Sequence, residues 1–465
     1  MKKQLFFDDN MLFGIENVVR KYGEPKLVAT YNDGVCSTDY CTGWVFPLDN
    51  GKYRMVYFGH SLKFEGRRLF SAISDDGVNF SPEKINNADE KYSHEIMQLP
   101  SGGEVAFIYE DKYCDNHDER YKLLMSDFEW SKFEVKDTVY VSPDLINWKI
   151  KEGVLWGDGA EPLASAFYNK KYKTHTIIER PFWGVRRVGY KETTDWENFS
   201  EYRECLNVDC FDEPLSEIYG MYAFEYDEMY IGLPHIYRIH KNELNAKYKG
   251  GIVDTQLAYS YDGRYWQRSL REPFITGLDM PLGKKHGLMW VFNTLKREDG
   301  NISLYASASE QEHGNFQAGT GKILIYNLRC DGFISLCSEN TKKESMVTTR
   351  EKIWHSGEAH INIKAQKATL GVYISDESDL VDGNVLGISK PIEGYTHEDC
   401  IPFSGDSTDW VPQFKSGKKI DELKGKTLVF ELKFCDGEVF SFSGEYTDAF
   451  NTQAAIYRKY GKLPE

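Results

Sequence analysis

Residues 260–266 read Ser-Tyr-Asp-Gly-Arg-Tyr-Trp, and the same signature occurs at 74–80, 142–148 and 193–199. In each copy a Ser or Thr stands two positions before an Asp, and an aromatic residue follows four positions after that Asp. Such side chains hydrogen-bond nearby backbone amides, so the signature predicts a tight turn with a packed ring behind it. Successive copies begin 68, 51 and 67 residues apart. A four-stranded blade needs about that much chain, so the repeat predicts a β-propeller.

Strand–turn–strand units accompany this signature along the first 310 residues. Each unit has an apolar, strand-like run followed by a polar turn, and helical periodicity is nearly absent. Five such units can be recognised, which predicts five blades. Their apolar runs lie at 44–46, 96–99, 164–167, 221–224 and 288–292.

The carboxyl-terminal part of the chain has a different pattern. After residue 336 the turn signature stops, and strand-like runs separated by polar, Gly-rich turns follow. That pattern is typical of a β-sandwich. We therefore expect an all-β protein, with a five-bladed β-propeller over residues 1–335, a β-sandwich domain over 336–446, and a tail over 447–465 with the pattern of a short helix.

Composition excludes several classes of partner. The formal net charge of −16 repels phosphate backbones, which argues against nucleic acid. No stretch approaches about 20 apolar residues, so no membrane span is expected. Asp8 and Asp9 end the short apolar run at the amino terminus before a signal peptide could form. The nine scattered cysteines lack CxxC spacing and suit reduced thiols, so we expect a cytoplasmic protein.

Three acidic residues occupy equivalent places in their units. Asp39 and Asp158 each stand eleven residues before one of two matching turns, at 50–53 and 169–172. Glu217 stands ten residues before the corresponding turn of the fourth unit. In a propeller these positions begin the innermost strands and face one central funnel. Carboxylates that share a site have pKa values that split, so one group can act as an acid and another as a base.

This arrangement resembles the five-bladed propeller glycoside hydrolases, the superfamily that holds families 32, 43, 62 and 68. The segment 39–45 resembles the group's first-blade Asp at a strand start, and 216–220 resembles its fourth-blade Glu. The downstream sandwich resembles the accessory domain of family 32. The family 32 signature Trp-Met-Asn-Asp-Pro-Asn-Gly does not occur, nor do its Arg-Asp-Pro and Glu-Cys motifs, so only the generic acid positions carry over.

The resemblance implies a glycosidase that cleaves an oligosaccharide or glycoside by carboxylate acid/base catalysis. Asp39 would be the nucleophile or base, Glu217 the general acid, and Asp158 would orient that acid, with Glu161 as a competitor for the last role. Each could instead be a solvated loop carboxylate or a turn cap. The other residues expected to line the funnel and bind substrate are His94, Glu95, Glu161, Arg180, Trp183, Arg187 and His286.

Two alternatives remain open at this stage. The arginines at 180–187 could bind phosphate, as in the five-bladed mannoside phosphorylases, or they could form surface ion pairs. A non-enzymatic carbohydrate-binding propeller would keep the aromatic residues and the turns without needing three acids in register. No cofactor or metal site is predicted, although a structural calcium ion on the propeller axis is compatible with the superfamily. The sequence does not indicate an oligomeric state.

Overall fold

The computed structural model describes residues 1–34, 41–60, 67–85, 92–100, 103–129, 134–151, 160–241, 250–276, 287–314, 321–375, 380–381, 384–385 and 389–463. It forms two compact units, one of Glu24–Arg329 and one of Met1–Gly23 with Cys330–Glu465. The fold is all-β, as expected, apart from helix α1 (Asn451–Tyr460) in the predicted tail. Nowhere in these described ranges is a helix both long enough and apolar enough to cross a membrane.

The strands have the following bounds. Three precede Glu24: β1 (Lys2–Leu5), β2 (Leu12–Glu16) and β3 (Val18–Tyr22). The unit Glu24–Arg329 contains β4 (Lys26–Tyr31), β5 (Cys41–Pro47), β6 (Tyr53–His60), β7 (Arg67–Ser74), β8 (Ser81–Pro82), β9 (Glu95–Gln98), β10 (Gly103–Glu110), β11 (Tyr121–Glu129), β12 (Glu134–Ser142), β13 (Lys149–Ile150), β14 (Glu161–Asn169), β15 (Thr174–Arg180), β16 (Val188–Thr193), β17 (Arg203–Leu206), β18 (Ser216–Tyr226), β19 (Met229–Ile239), β20 (Gly251–Thr255), β21 (Ala258–Ser260), β22 (Leu288–Lys296), β23 (Ile302–Ser309) and β24 (Lys322–Leu328). The remaining strands are β25 (Ile334–Ser338), β26 (Ser345–Thr349), β27 (Lys352–Ser375), β28 (Leu380–Val381), β29 (Asn384–Val385), β30 (Ser389–Pro391), β31 (Phe403–Trp410) and β32 (Thr427–Asp448).

The described strands of the unit Glu24–Arg329 form five antiparallel groups. They are β5–β9, β10–β13, β14–β17, β18–β21, and β22–β24 completed by β4. Strand β4 pairs with β24 although it precedes the other groups in the chain. A parallel contact between Val253 and Leu288 links the fourth group to the fifth. The number of blades stays a prediction. Each of the five strand groups would correspond to one blade.

The first strands of the groups lie around a common centre. Strand β10 packs against β14, β14 against β18, β18 against β22, and β22 against β5. Apolar side chains of β5 and β10, including Trp44 and Phe107, share one buried cluster. We call the end at which these first strands begin the upper end, and the end at which they finish the lower end.

The repeated signature forms the turn that the sequence predicts. In the second copy Ser142 Oγ accepts hydrogen bonds from the backbone N–H of Asp144 and Leu145, and Asp144 Oδ1 accepts from Ile146 and Asn147. The residue after the Asp adopts a positive φ in every copy, and in the third copy this residue is Trp196, at 60°. Leu145 and Trp196 are fully or almost fully buried, so packing between the groups offsets their backbone strain.

We expect Asp144→Ala to lower the free energy of unfolding by about 1–2 kcal/mol, because two backbone amides lose their acceptor. Burial opposes ionisation of Asp144, but hydrogen bonds from Asn147 and Ile146 prevail and lower its pKa. Its stabilising effect is therefore present above the pKa of the unfolded chain and is lost as the pH falls. Urea denaturation at pH 7 measures the change. Asp75→Ala, at an exposed position of the first copy, is the control and should change stability by less than about 0.5 kcal/mol.

The second unit corrects the expected domain boundary. Residues 1–23 do not belong with the blades, because β1 pairs with β32, β2 with β26, and β3 with β25. The long strands β27 and β32 pair along most of their length and carry the core of the unit around Trp354. The prediction that this unit is a β-sandwich stays a prediction.

One cluster of charges is buried between the second and third groups. Lys191 Nζ lies 2.8 Å from Glu179 Oε2 and 3.5 Å from Asp137 Oδ2, and all three side chains are at most 4% exposed. Tyr202 donates to Glu179 Oε2, and Ser126 donates to Asp137 Oδ1. Two carboxylates thus share one ammonium group. Burial first and Glu179 second raise the pKa of Asp137, to about 7, while Lys191 opposes them.

Candidate functional site

Glu217 lies at the upper end, as the second residue of the first strand of its group. Its side chain is 13% exposed, and Arg186 Nη1 donates a hydrogen bond to Glu217 Oε2 at 2.7 Å. Arg186 belongs to the connection between β15 and β16, which reaches the same end. Glu217 is therefore a partly accessible carboxylate that a cation holds at the start of a first strand.

Arg180 brings a second guanidinium group close to this pair. It is the last residue of β15, is 3% exposed, and its guanidinium carbon lies 4.4 Å from the centre of the Tyr219 ring. Arg186 lies 5.7 Å from the same ring and 5.2 Å from the Tyr237 ring. Burial lowers the pKa of Arg180 to about 10; Tyr219 opposes this shift and Arg186 adds to it. Two guanidinium groups and one carboxylate therefore meet at one aromatic wall.

His313 completes that wall from the fifth group. Tyr237 Oη and His313 Nδ1 are 3.1 Å apart, and the His313 ring packs 5.3 Å from Tyr219 edge to face. His235, two residues before Tyr237, is different in character because it is buried and bonds the carbonyl oxygen of Val291 through Nε2. Burial lowers the pKa of His235 to about 4, so it is neutral near pH 7. His313 is the histidine of the two that remains partly accessible.

A second polar arrangement lies in the same buried cluster as Tyr237. His94, expected to bind substrate, is 2.9 Å from Asp33 Oδ2 through Nε2. Tyr57 donates to the same oxygen at 2.7 Å, and the hydroxyls of Tyr57 and Tyr31 are 2.9 Å apart. The Asp33 side chain is 1% exposed. A buried carboxylate bonded to one ring nitrogen fixes the orientation of the histidine and leaves its other nitrogen for a different partner.

The remaining predicted residues are placed elsewhere or are not described. Glu95 forms an ion pair with Arg68, with both oxygens 2.6 Å from Nη1. Arg187 forms an ion pair with Glu204 and lies 5.0 Å over the Trp183 ring. Three predicted site residues, Asp39, Asp158 and His286, lie outside the described residues. Glu161 begins β14 and pairs with Arg180, but its side chain is likewise outside the described part.

Sequence reasoning missed several residues that the structure brings to this end. Tyr219 follows Glu217 by two positions, so strand alternation places both on one face and could have identified it. Asp33 stands in an Asn-Asp-Gly stretch that resembles a surface turn, and nothing local indicates that it is buried. Tyr237 and His313 come from separate strand groups. In the described ranges, no group of three or more His, Cys, Asp or Glu side chains could hold a metal ion.

Comparisons with known proteins give likenesses of shape only. No family model and no curated protein matches the chain. Solved structures that are similar include an N-acetylgalactosamine deacetylase from F. plautii in complex with blood group B trisaccharide, at 12% identity and a TM-score of 0.45, covering 67% of this chain and 95% of that chain. A glycosyl hydrolase from Bacteroides ovatus has 14% identity and a TM-score of 0.43, covering 66% and 94%. The β-1,2-mannobiose phosphorylase from Listeria innocua has 11% identity and a TM-score of 0.43, covering 68% and 98%.

Proposed function

We propose that the chain is a carbohydrate-active enzyme that cleaves a glycosidic bond at the upper end of the unit Glu24–Arg329. The observation that supports this most is Glu217, a partly accessible carboxylate that accepts a hydrogen bond from Arg186, which in turn lies 5.7 Å from the Tyr219 ring. A sugar ring stacks well on an aromatic face, and a carboxylate with an arginine beside it can hold its hydroxyl groups. Asp39 and Asp158 are the proposed partners of Glu217, in line with the need for two carboxyl groups.

The proposed roles follow from where protons must go. In hydrolysis the bond from the anomeric carbon to the leaving oxygen breaks, a water oxygen bonds to that carbon, and the leaving oxygen gains a proton. Glu217 accepts a hydrogen bond from Arg186, so it acts as a base or a hydroxyl acceptor in this arrangement. The role of general acid requires that pair to open when substrate binds.

Phosphorolysis is the second candidate, and the two guanidinium groups at Tyr219 favour it. The two guanidinium groups of Arg180 and Arg186 carry more positive charge than Glu217 can neutralise. Arginine binds phosphate through two parallel hydrogen bonds. A phosphate oxygen would attack the anomeric carbon, the leaving sugar oxygen would gain a proton, and a glycosyl phosphate would result. The hydrolase and the phosphorylase thus share a site and differ in the nucleophile.

The test of the proposed function is release of sugar from a panel of aryl glycosides, with and without inorganic phosphate. Turnover without phosphate supports hydrolysis, whereas turnover that needs phosphate and yields a ³¹P signal of glycosyl phosphate supports phosphorolysis. For phosphorolysis we expect Arg186→Ala to raise the KM for phosphate at least about 10-fold, because one charge-assisted contact is lost. Arg203→Ala, an exposed arginine of β17, is the matched control. Absence of turnover on oligosaccharides as well as aryl glycosides would contradict the proposal.

A further inference from the structure

A cavity of about 480 Å³ lies at the lower end, opposite Glu217. Every one of the five first strands contributes to its wall near the point where that strand ends. One residue from each strand illustrates this: Pro47, Glu110, Tyr168, Glu225 and Lys296. The volume falls within the range of about 300–1,000 Å³ that is usual for small-molecule sites. The cavity is therefore large enough for a ligand and is distinct from the site at the upper end.

Flat aromatic rings form two sides of this cavity. Tyr113 stacks on Tyr168 with ring centres 3.7 Å apart and an interplanar angle of 22°, and 52% of Tyr113 is exposed. Across the wall, Tyr222 and Phe224 stack at 5.4 Å and 21°. Stacked pairs hold their rings in fixed orientations, so a bound ligand would meet prearranged flat surfaces at little entropic cost.

The charged groups at the mouth balance one another. Two acidic and two basic residues line the cavity: Glu110, Glu225, Lys112 and Lys296. Glu110 pairs with Arg120 at 2.7 Å and Glu225 pairs with Lys170, two cations that are not part of this lining. Lys296 lies 5.8 Å over the Tyr226 ring. The lining charges are equal in number, two of each sign, so the lining itself does not select a strongly anionic or cationic ligand. Carboxylates and ammonium groups side by side instead offer acceptors and donors to hydroxyl groups.

We propose that this lower cavity binds a saccharide ring without acting on it. A pyranose has a flat C–H face that suits the aromatic rings and equatorial hydroxyl groups that suit the paired charges. An apolar planar molecule would contact the rings but would use none of the hydrogen-bond donors and acceptors at the mouth. The proposal concerns a separate cavity, so it does not depend on the chemistry at Glu217.

Saturation-transfer NMR with trisaccharides of glucose, mannose, galactose, xylose and N-acetylglucosamine tests this proposal on the full chain. We expect at least one trisaccharide to bind, and Tyr113→Ala to weaken that binding at least about 10-fold, or about 1.4 kcal/mol, because the exposed stacking ring is lost. Tyr265→Ala should bind as the wild type does; Tyr265 is 77% exposed and does not line the cavity.

Three results would overturn the proposal. The first is that no trisaccharide binds to the wild type. The second is that binding persists unchanged in Tyr113→Ala and disappears in Glu217→Gln, since the sugar would then occupy only the upper site. The third is that Tyr113→Ala and Tyr265→Ala weaken binding equally, which would indicate non-specific stacking on exposed rings. Loss of turnover in Glu217→Gln with binding retained concerns the proposed function alone, so the two proposals fail separately.

Discussion

Glu217→Gln is expected to lower kcat/KM for a cleaved glycoside by about 100- to 10,000-fold. The amide keeps the size of the side chain but can neither take up a proton nor form the ion pair with Arg186. Proton transfer by a positioned side chain contributes about that factor to an enzymatic rate. The loss should appear mainly in kcat, because the proton moves in the transition state and not in the bound ground state.

The measurement needs two controls. The first control is Glu213→Gln, which changes a largely exposed carboxylate that pairs with Arg238. This variant should keep kcat/KM within about 3-fold of the wild-type value. Thermal unfolding of Glu217→Gln checks that the variant folds, because Arg186 loses its partner. Activity of a folded Glu217→Gln variant close to that of the wild type would remove Glu217 from the proposed chemistry.

Lys191→Met is expected to lower the free energy of unfolding by about 3–5 kcal/mol at pH 8. The substitution leaves Glu179 and Asp137 buried without the ammonium group between them, and removing one partner of a buried ion pair has an effect of that size. The destabilisation should be smaller at pH 5.5. At pH 5.5 one of these two carboxylates can take up a proton, so the variant no longer buries two unpaired negative charges.

The sign of the pH effect follows from Asp137. Its pKa in the folded protein is about 7, above the value in an unfolded chain, so the folded state holds the proton more tightly. The contribution of protonated Asp137 to the free energy of unfolding is complete below about pH 4 and is lost as the pH rises through about 7. Asp137→Asn should remove this dependence. Equal losses for Lys191→Met at pH 5.5 and pH 8, measured by urea denaturation, would contradict this account.

The turn signature was predictable because its hydrogen bonds join residues two or three positions apart. Asp144 and its two amide donors lie within one heptapeptide, and the same geometry recurs in each copy. The place of Glu217 followed from the regular length of the strand units. Two neighbouring arginines of the connection between β15 and β16 have different partners, because Arg186 pairs with Glu217 and Arg187 pairs with Glu204.

Long-range pairings were not predictable in the same way. Tyr31 pairs with Ile323, and Asp33 is buried against His94 by contacts that no short pattern encodes. The assignment of residues 1–23 to the propeller was wrong for this reason, because their partners lie beyond residue 330. A side chain's depth within the fold depends on such pairings, so Asp33 could not be distinguished from an ordinary turn residue.

The early position of β1–β3 has a consequence for synthesis of the chain. Tyr22 pairs with Ile334, so β3 waits for about 310 further residues before its partner leaves the ribosome, and β1, whose Lys3 pairs with Ser443, waits longer. At about 5–20 residues per second the wait is roughly 15–60 s. Throughout that interval their edges can pair with other chains. The nascent polypeptide is therefore expected to be most dependent on chaperones at the segment 2–22.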